Sequence, residues 1–267
     1  MSVKQRTLKS EFSLNGKGLH TGKQVTATFK PAEENFGYRI RRMDLEGSPE
    51  IPALAEYVKL MDRASCLEKD GVCVFTMEHA MAALYGCGID NCLIELSGEE
   101  FPILDGSAKY YVKEIEKVGF EEQKADRRYF TVKEQMEFCS EDGQTKITLL
   151  PDTDYNINLV VAYDSPYLQM QYATYSEKVT DFAKEIAPCR TFVFLRELEM
   201  LLQHNLIKGG DLDNAIVIVD REISQEEVNR LAKLFNHDSI EVKQGILNNL
   251  DLYFDNEPAR HKLLDVI

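Results

Sequence analysis

The sequence predicts an α+β protein built from two halves, each running from strands into helices. Three observations predict it. Residues 3–14, 23–30, 37–42, 52–59 and 71–76 carry strand patterns, as in Gln24-Val25-Thr26-Ala27-Thr28-Phe29, where apolar and polar residues alternate with the period of a half-buried strand. A second strand series at 129–138, 145–150 and 155–163 follows the first helices and restarts the same order. Between the two series, Glu121-Glu122-Gln123-Lys124-Ala125-Asp126-Arg127-Arg128 is polar but for one alanine, the composition of a boundary. It divides the chain into domains 1–126 and 127–267.

Taken in order, the first two strands flank Asn15-Gly16-Lys17-Gly18-Leu19-His20-Thr21-Gly22. Three glycines in eight residues make a loop whose backbone can approach a ligand closely, although the spacing matches neither phosphate-binding fingerprint. His20 reads either as a polar loop residue or as part of such an approach. A helix from Glu78 ends at Gly86 and Gly88. Ile89 to Leu96 is a buried strand, and a turn at Phe101 to Ala108 feeds a helix to about Val118, with Tyr111, Val112, Ile115 and Val118 on one face. Asp105 or Ser107 is placed to cap it. In the second half, Asp142-Gly143 marks a hairpin, 178–186 a short helix, 188–194 an extended segment and 195–204 a helix with Leu198, Leu201 and Leu202 apolar. Gly209-Gly210 then breaks the chain before the buried strand Ala215-Ile216-Val217-Ile218-Val219. This run reads as an ordinary βαβ piece or as the wall of a narrow apolar passage. Ser224 and Glu227 form a capping-box pattern.

Composition narrows the function. The 267 residues are 44% hydrophobic and carry a net charge of 31 − 45 = −14. That balance excludes nucleic acid or an anionic membrane as the main partner, while an anionic substrate needs only a local basic pocket. The six cysteines form no CxxC pair and mostly sit in apolar runs, as free buried thiols of a reducing compartment do. The N-terminus has no apolar signal region, and no apolar stretch approaches the ~20 residues of a membrane span. These features place the chain in the cytoplasm; no oligomeric state is specified.

The chemistry concentrates at Glu78-His79 and His261-Lys262-Leu263-Leu264-Asp265. His79 can bind a metal while Glu78 serves a water beside it. His261 and Asp265, at i and i+4, share one helix face. Two imidazoles and a carboxylate leave an open position, the ligand count of a catalytic zinc site; iron(II) suits the same set. Each pair alone also fits a solvated helix surface, and the pattern is not the HExxH of a metalloprotease.

Thr76-Met77-Glu78-His79, Gly88-Ile89-Asp90-Asn91, Phe101-Pro102-Ile103-Leu104-Asp105-Gly106-Ser107-Ala108, Arg190-Thr191-Phe192, Gly209-Gly210-Asp211-Leu212-Asp213-Asn214-Ala215 and Arg260-His261-Lys262-Leu263-Leu264-Asp265 together resemble one family in order. It is the UDP-3-O-acyl-N-acetylglucosamine deacetylases, zinc amidases of lipid A biosynthesis in Gram-negative bacteria. The resemblance implies two similar two-layer α/β sandwich domains with the active site between them. It implies zinc on His79, His261 and Asp265, Glu78 as general base, Thr191 facing the developing oxyanion and Lys262 lending positive charge. It makes residues of about 194–220 the insert that forms an acyl-chain passage, walled by Leu19, Phe192, Phe194, Leu198, Ile207, Gly210, Leu212 and Val217, and sets Tyr163 against uracil. The implied substrate is UDP-3-O-acyl-N-acetylglucosamine.

The family continues past this helix with a further aspartate and a Gly-His motif whose histidine is a general acid. Here the chain reaches Ile267, and none of His20, His79, His204, His237 and His261 occupies that context. The resemblance therefore predicts a C-terminally truncated form that binds zinc but turns over weakly. Some family members are fused to a 3-hydroxyacyl-carrier-protein dehydratase. The Leu60-Met61-Asp62-Arg63-Ala64-Ser65-Cys66 stretch also departs from a family loop richer in threonine. Two other readings are a non-catalytic protein that binds a UDP-sugar or acyl ligand, and a deacetylase of another N-acetylated sugar.

Overall fold

The computed structural model describes residues 3–61, 64–163, 165, 168–203, 207–235, 237–243, 245–247 and 250–267. Asp62, Arg63 and His204, on which parts of the sequence reading fall, lie outside them, as does the side chain of Leu202. The first half runs β1 (Lys4–Leu8), β2 (Phe12–Lys17), β3 (Gln24–Pro31), β4 (Tyr38–Arg42), β5 (Glu50–Pro52), β6 (Val58–Met61), β7 (Ala64–Lys69), β8 (Val72–Phe75), α1 (Glu78–Gly86), β9 (Cys92–Leu96), α2 (Lys109–Val118) and β10 (Phe120–Asp126). The second runs β11 (Met136–Cys139), β12 (Lys146–Leu149), β13 (Asn156–Val161), β14 (Gln171–Ser176), α3 (Phe182–Glu185), β15 (Phe192–Phe194), α4 (Leu195–Gln203), β16 (Ile216–Ile218), α5 (Gln225–Leu234), β17 (Val242–Lys243), β18 (Ile246–Leu247) and α6 (Glu257–Val266).

The first half is organised by a five-stranded sheet in the order β2-β3-β9-β4-β5. Alternation places Val25, Ala27 and Phe29 of β3 and Cys92, Ile94 and Leu96 of β9 on its buried face. Phe12 stacks on Phe29 at 4.7 Å, and Tyr111 of α2 meets Phe29 edge-on while its hydroxyl donates to the Pro102 carbonyl. Helix α1 is buried on nearly every side and built on Ala80, Ala82 and Ala83. Its thin section lets α2 and α6 both approach it. At Gly86 a Cβ would sit 2.2 Å from the Phe182 ring, so glycine is what lets α1 and α3 of the two halves touch. One apolar cluster accordingly runs from Leu8 and Phe29 through Leu84 to Tyr175, Phe182, Leu263 and Leu264.

Several segments depart from the sequence expectation. Residues 3–14 are two strands, and β2 continues through Gly16 to Lys17 because its backbone pairs with β3 whatever the side chain. Residues 52–59 are not one strand: β5 stops at Pro52, and a 3-10 turn at Ala55–Tyr57 precedes β6. The polar stretch at 121–128 is largely β10, an exposed edge strand paired only with β1; without a buried face it has no apolar signature. Asp105 caps no helix end. It receives the Ser107 N–H and hydroxyl and pairs with Lys109, and Ser107 Oγ accepts the Lys109 N–H. Only one arm of the Ser224 box forms, since Glu227 turns to Arg221. Every cysteine is free, but Cys139 is exposed and Cys73 and Cys87 are half-buried.

In the second half β13 and β14 form a hairpin whose inner face packs on α6. Strands β15 and β16 are parallel and connected through α4, and β18 and β17 extend that sheet. The hairpin β11–β12 is open to solvent on both faces, with Met136, Phe138, Ile147 and Leu149 on one side. Among the described residues no helix is long and apolar enough to cross a membrane.

Candidate metal centre

Strand β8 ends at Phe75, and Thr76, at φ 57°, turns the chain into α1. A β-branched residue in the left-handed region stores strain; the Thr76 hydroxyl is held by Glu100 at 3.1 Å. This puts Glu78 and His79 in the first turn of α1, at the junction with α6. His79 and His261 are 2% and 3% exposed, and their ring centroids lie 5.2 Å apart. His261 Nδ1 meets the Cys189 carbonyl oxygen at 3.1 Å. A carbonyl only accepts, so Nδ1 carries the proton and Nε2 keeps its lone pair. That Nε2 lies 3.7 Å from Asp265 Oδ1, while Asp265 Oδ2 receives Lys262 Nζ at 2.9 Å.

Among the described residues two buried atoms here have no hydrogen-bond partner, His79 Nε2 and Glu78 Oε2. An orphaned buried polar atom costs about 1–3 kcal/mol, a penalty that a metal with its water would remove. Among the described residues no three His, Cys, Asp or Glu side chains are already closed around a point as a metal cage. The fit therefore rests on the donor chemistry: a backbone-anchored imidazole, an orphaned imidazole and one free carboxylate oxygen. A histidine whose second nitrogen is tied to a carbonyl is the usual form of an oriented metal ligand.

The electrostatics agree with a site held ready for a cation. Burial pushes the His261 imidazole down to about 4, against the opposing pull of Asp265. Burial would raise Asp265, but His261 and then Lys262 outweigh it and keep its carboxyl below the usual range. Burial also works against the Lys262 ammonium, yet Asp265 holds its pKa above normal, with Glu78 adding to the effect.

Thr191 is fixed by its backbone on both sides: its N–H donates to the Gly106 carbonyl at 2.7 Å and its carbonyl receives the Ile216 N–H at 2.8 Å. It lies two residues after Cys189, and Lys262 Nζ stands 5.7 Å from the Phe192 ring centroid. Arg190, Thr191 and Phe192 thus run beside α6. The glycine loop reaches the same region. Buried Glu100 accepts the His20 and Thr21 N–H groups and the Thr21 hydroxyl, while the Leu19 and His20 carbonyls receive Gly209 and Lys208. A Cβ at Gly209 would stand 2.1 Å from the Gly18 carbonyl oxygen.

The residues expected to wall a passage separate into groups. Leu198, Leu212, Val217 and Ile207 pack in one cluster; Tyr163, Phe192 and Phe194 belong to another. The register Phe192↔Ile216 and Val193↔Val217 puts these clusters on opposite faces of β15–β16. Leu19 joins neither, and with Ile207 and Gly210 it remains partly exposed. Tyr163 meets Phe192 and Phe194 edge-on at 5.7 and 5.2 Å. A cavity of about 150 Å³ lined by Thr21, Lys23, Arg42 and Glu100, among others, contains no histidine.

Sequence reasoning missed the buried carboxylates Glu100 and Glu257, which hold the elements around the site. Glu257 stands four residues before His261, the same-face spacing already used for Asp265, and that spacing was the available signal. Glu100 had none, because its four donors lie in the loop at 20–21 and at Thr76.

Residues 5–240 match the family model described as UDP-3-O-acyl N-acetylglycosamine deacetylase. The chain is 53% identical over 266 residues to a bifunctional enzyme LpxC/FabZ of Bacteroides thetaiotaomicron, covering 99% of this chain and 58% of that protein. It is 44% identical to a bifunctional LpxC/FabZ of Chlorobaculum tepidum, again over 58% of that protein. With a UDP-3-O-acyl-N-acetylglucosamine deacetylase of Marinobacter nauticus it shares 38% identity, over 99% of this chain and 80% of the relative. The chain thus spans somewhat over half the length of the bifunctional relatives. These alignments extend to α6, beyond the residues that the family model matches.

Proposed function

From the premise that this chain belongs to the UDP-3-O-acyl-N-acetylglucosamine deacetylase family, we propose that it is a metal-dependent amidohydrolase. It removes the N-acetyl group of UDP-3-O-acyl-N-acetylglucosamine as acetate, within lipid A biosynthesis, in the cytoplasm of a Gram-negative bacterium. The observation that carries this reading is the pair of orphaned buried atoms, His79 Nε2 and Glu78 Oε2, set against a carbonyl-anchored His261.

His79, His261 and Asp265 would hold zinc, with iron(II) as the alternative ion. When bound, such an ion polarises the amide carbonyl and lowers the pKa of a water toward ~7. Glu78 takes the proton of the attacking water through its unpartnered oxygen and returns it to the amine nitrogen as the C–N bond breaks. The Thr191 hydroxyl, on a backbone segment pinned at both ends, donates to the oxygen on which charge develops. Lys262, kept protonated by Asp265, adds positive potential. The acyl chain lies along the partly exposed Leu19, Ile207 and Gly210, beside the packed Leu198, Leu212 and Val217. Tyr163, Phe192 and Phe194 form an aromatic wall toward the uracil end.

Equilibrium dialysis and acetate release test this together. One zinc per chain is expected, lost in His79→Ala and His261→Ala, with acetate released from the acylated substrate in preference to its non-acylated form. Zinc binding unaffected by both substitutions would overturn the site. Ligand binding with zinc present but without acetate release would instead support a non-catalytic sugar-nucleotide binder.

A further inference from the structure

A second buried constellation stands one turn from His261 and has no part in the chemistry above. Glu257, fully buried in the first turn of α6, faces Arg190, itself 5% exposed. Glu257 Oε1 accepts both the Arg190 backbone N–H at 3.0 Å and Nε at 2.9 Å; Oε2 accepts the second guanidinium nitrogen at 3.1 Å and the Tyr253 N–H at 2.7 Å. The same guanidinium nitrogen donates to the Asp251 carbonyl at 2.9 Å, and the guanidinium lies over the Tyr253 ring at 4.7 Å. The carboxylate is saturated, and all of these bonds except that from Tyr253 tie α6 and its approach to Arg190.

Arg190 sits between the two residues that matter at the site. Cys189, before it, offers the carbonyl that orients His261; Thr191, after it, carries the hydroxyl assigned to the reaction. Glu257 and His261 are one helical turn apart on α6. Holding Glu257 against Arg190 therefore sets how far α6 stands from the 189–191 segment, and with it both the His261–Cys189 bond and the reach to Thr191. A buried ion pair is a poor source of net stability, because desolvating both charges offsets most of their attraction. What this one supplies is register.

We propose that Arg190 and Glu257 are a positioning pair, a buried bidentate tie that orients the metal ligand His261 and the Thr191 hydroxyl. This rests on the metal reading of His261. Groups that orient a ligand typically alter metal affinity by 10–100-fold when removed.

The test measures zinc affinity by chelator competition and the visible spectrum of the cobalt(II)-substituted protein, on Glu257→Gln and Arg190→Lys, well below each variant's unfolding midpoint. Expected are a 10–100-fold weaker zinc affinity and an altered cobalt spectrum. If either variant fails to fold, the double variant Arg190→Met, Glu257→Met, which leaves no buried charge unpaired, carries the measurement. A variant that melts earlier but keeps wild-type zinc affinity and cobalt spectrum would overturn the proposal and leave the pair merely structural. Failure of the metal reading itself looks different: His261→Ala would then bind zinc as tightly as wild type.

Discussion

At the scale of single residues, the site is defined by what its side chains lack. Among the described residues Glu78 has one buried oxygen without a partner, so Glu78→Gln keeps the shape and removes the proposed base. Acetate release is expected to fall by about 10²–10⁴-fold with zinc content unchanged, as checked by metal analysis on the same sample; an equal loss of zinc would move Glu78 from base to ligand. A second residue-level expectation concerns pH. The hydrogen bonds from buried Arg42 hold the Asp44 carboxyl below its ordinary value. A depressed carboxylate stabilises the fold above its unfolded pKa of about 3.8 and loses that contribution as pH falls through the folded value. Wild type should exceed Asp44→Asn in urea midpoint at pH 7, by no more than about 1 kcal/mol after solvent screening, and the gap should close toward pH 3. The residue types at the candidate metal centre were legible in the sequence. That they meet came from the family resemblance and not from spacing, because Glu78-His79 and His261 come together only through the packing of α1 on α6.

At the scale of elements, strands with one buried face announced themselves. β3 was readable from its alternation and β9 as a buried apolar run, whereas β10, an edge strand with almost no buried face, and β7, which ends in Glu68-Lys69, gave no such signal. The glycine loop was visible as a loop, but what it docks against was not. Its carbonyls receive Lys208 and Gly209, and the close approach of Gly209 to Gly18 is what makes that contact fit. In Gly209→Ala the added carbon would meet backbone oxygen at 2.1 Å, so the loop and the insert must separate. Overpacking of this kind costs about 1–3 kcal/mol. Amide exchange should accelerate at residues 18–22 and 207–210 with little change in the five-stranded sheet; unchanged exchange in the loop would contradict the docking.

At the scale of the molecule, the division into halves is a matter of chain order more than of core. One apolar cluster joins β3 and β9 of the first half to β14, α3 and α6 of the second. Unfolding should therefore be a single cooperative transition for these elements. The chain has no tryptophan, so tyrosine fluorescence and far-ultraviolet circular dichroism are the probes, and two separated midpoints would refute the shared core. Gly86→Ala, which drives a carbon into the Phe182 ring, should lower that midpoint without splitting it, again by about 1–3 kcal/mol. The sequence could not foretell this continuity, since alternation and helical periodicity report which face of an element is buried but not which neighbour covers it.

The β11–β12 hairpin carries this point into the handling of the protein. Met136, Phe138, Ile147 and Leu149 form one apolar face, each of them more than 40% exposed, beside a chain whose charge of −14 otherwise keeps molecules apart. Salt weakens that repulsion and strengthens contact between such faces. Rising ammonium sulfate should therefore bring this acidic protein out of solution early, and a phenyl resin should retain it through the hairpin; low-salt buffer is where it will remain dispersed.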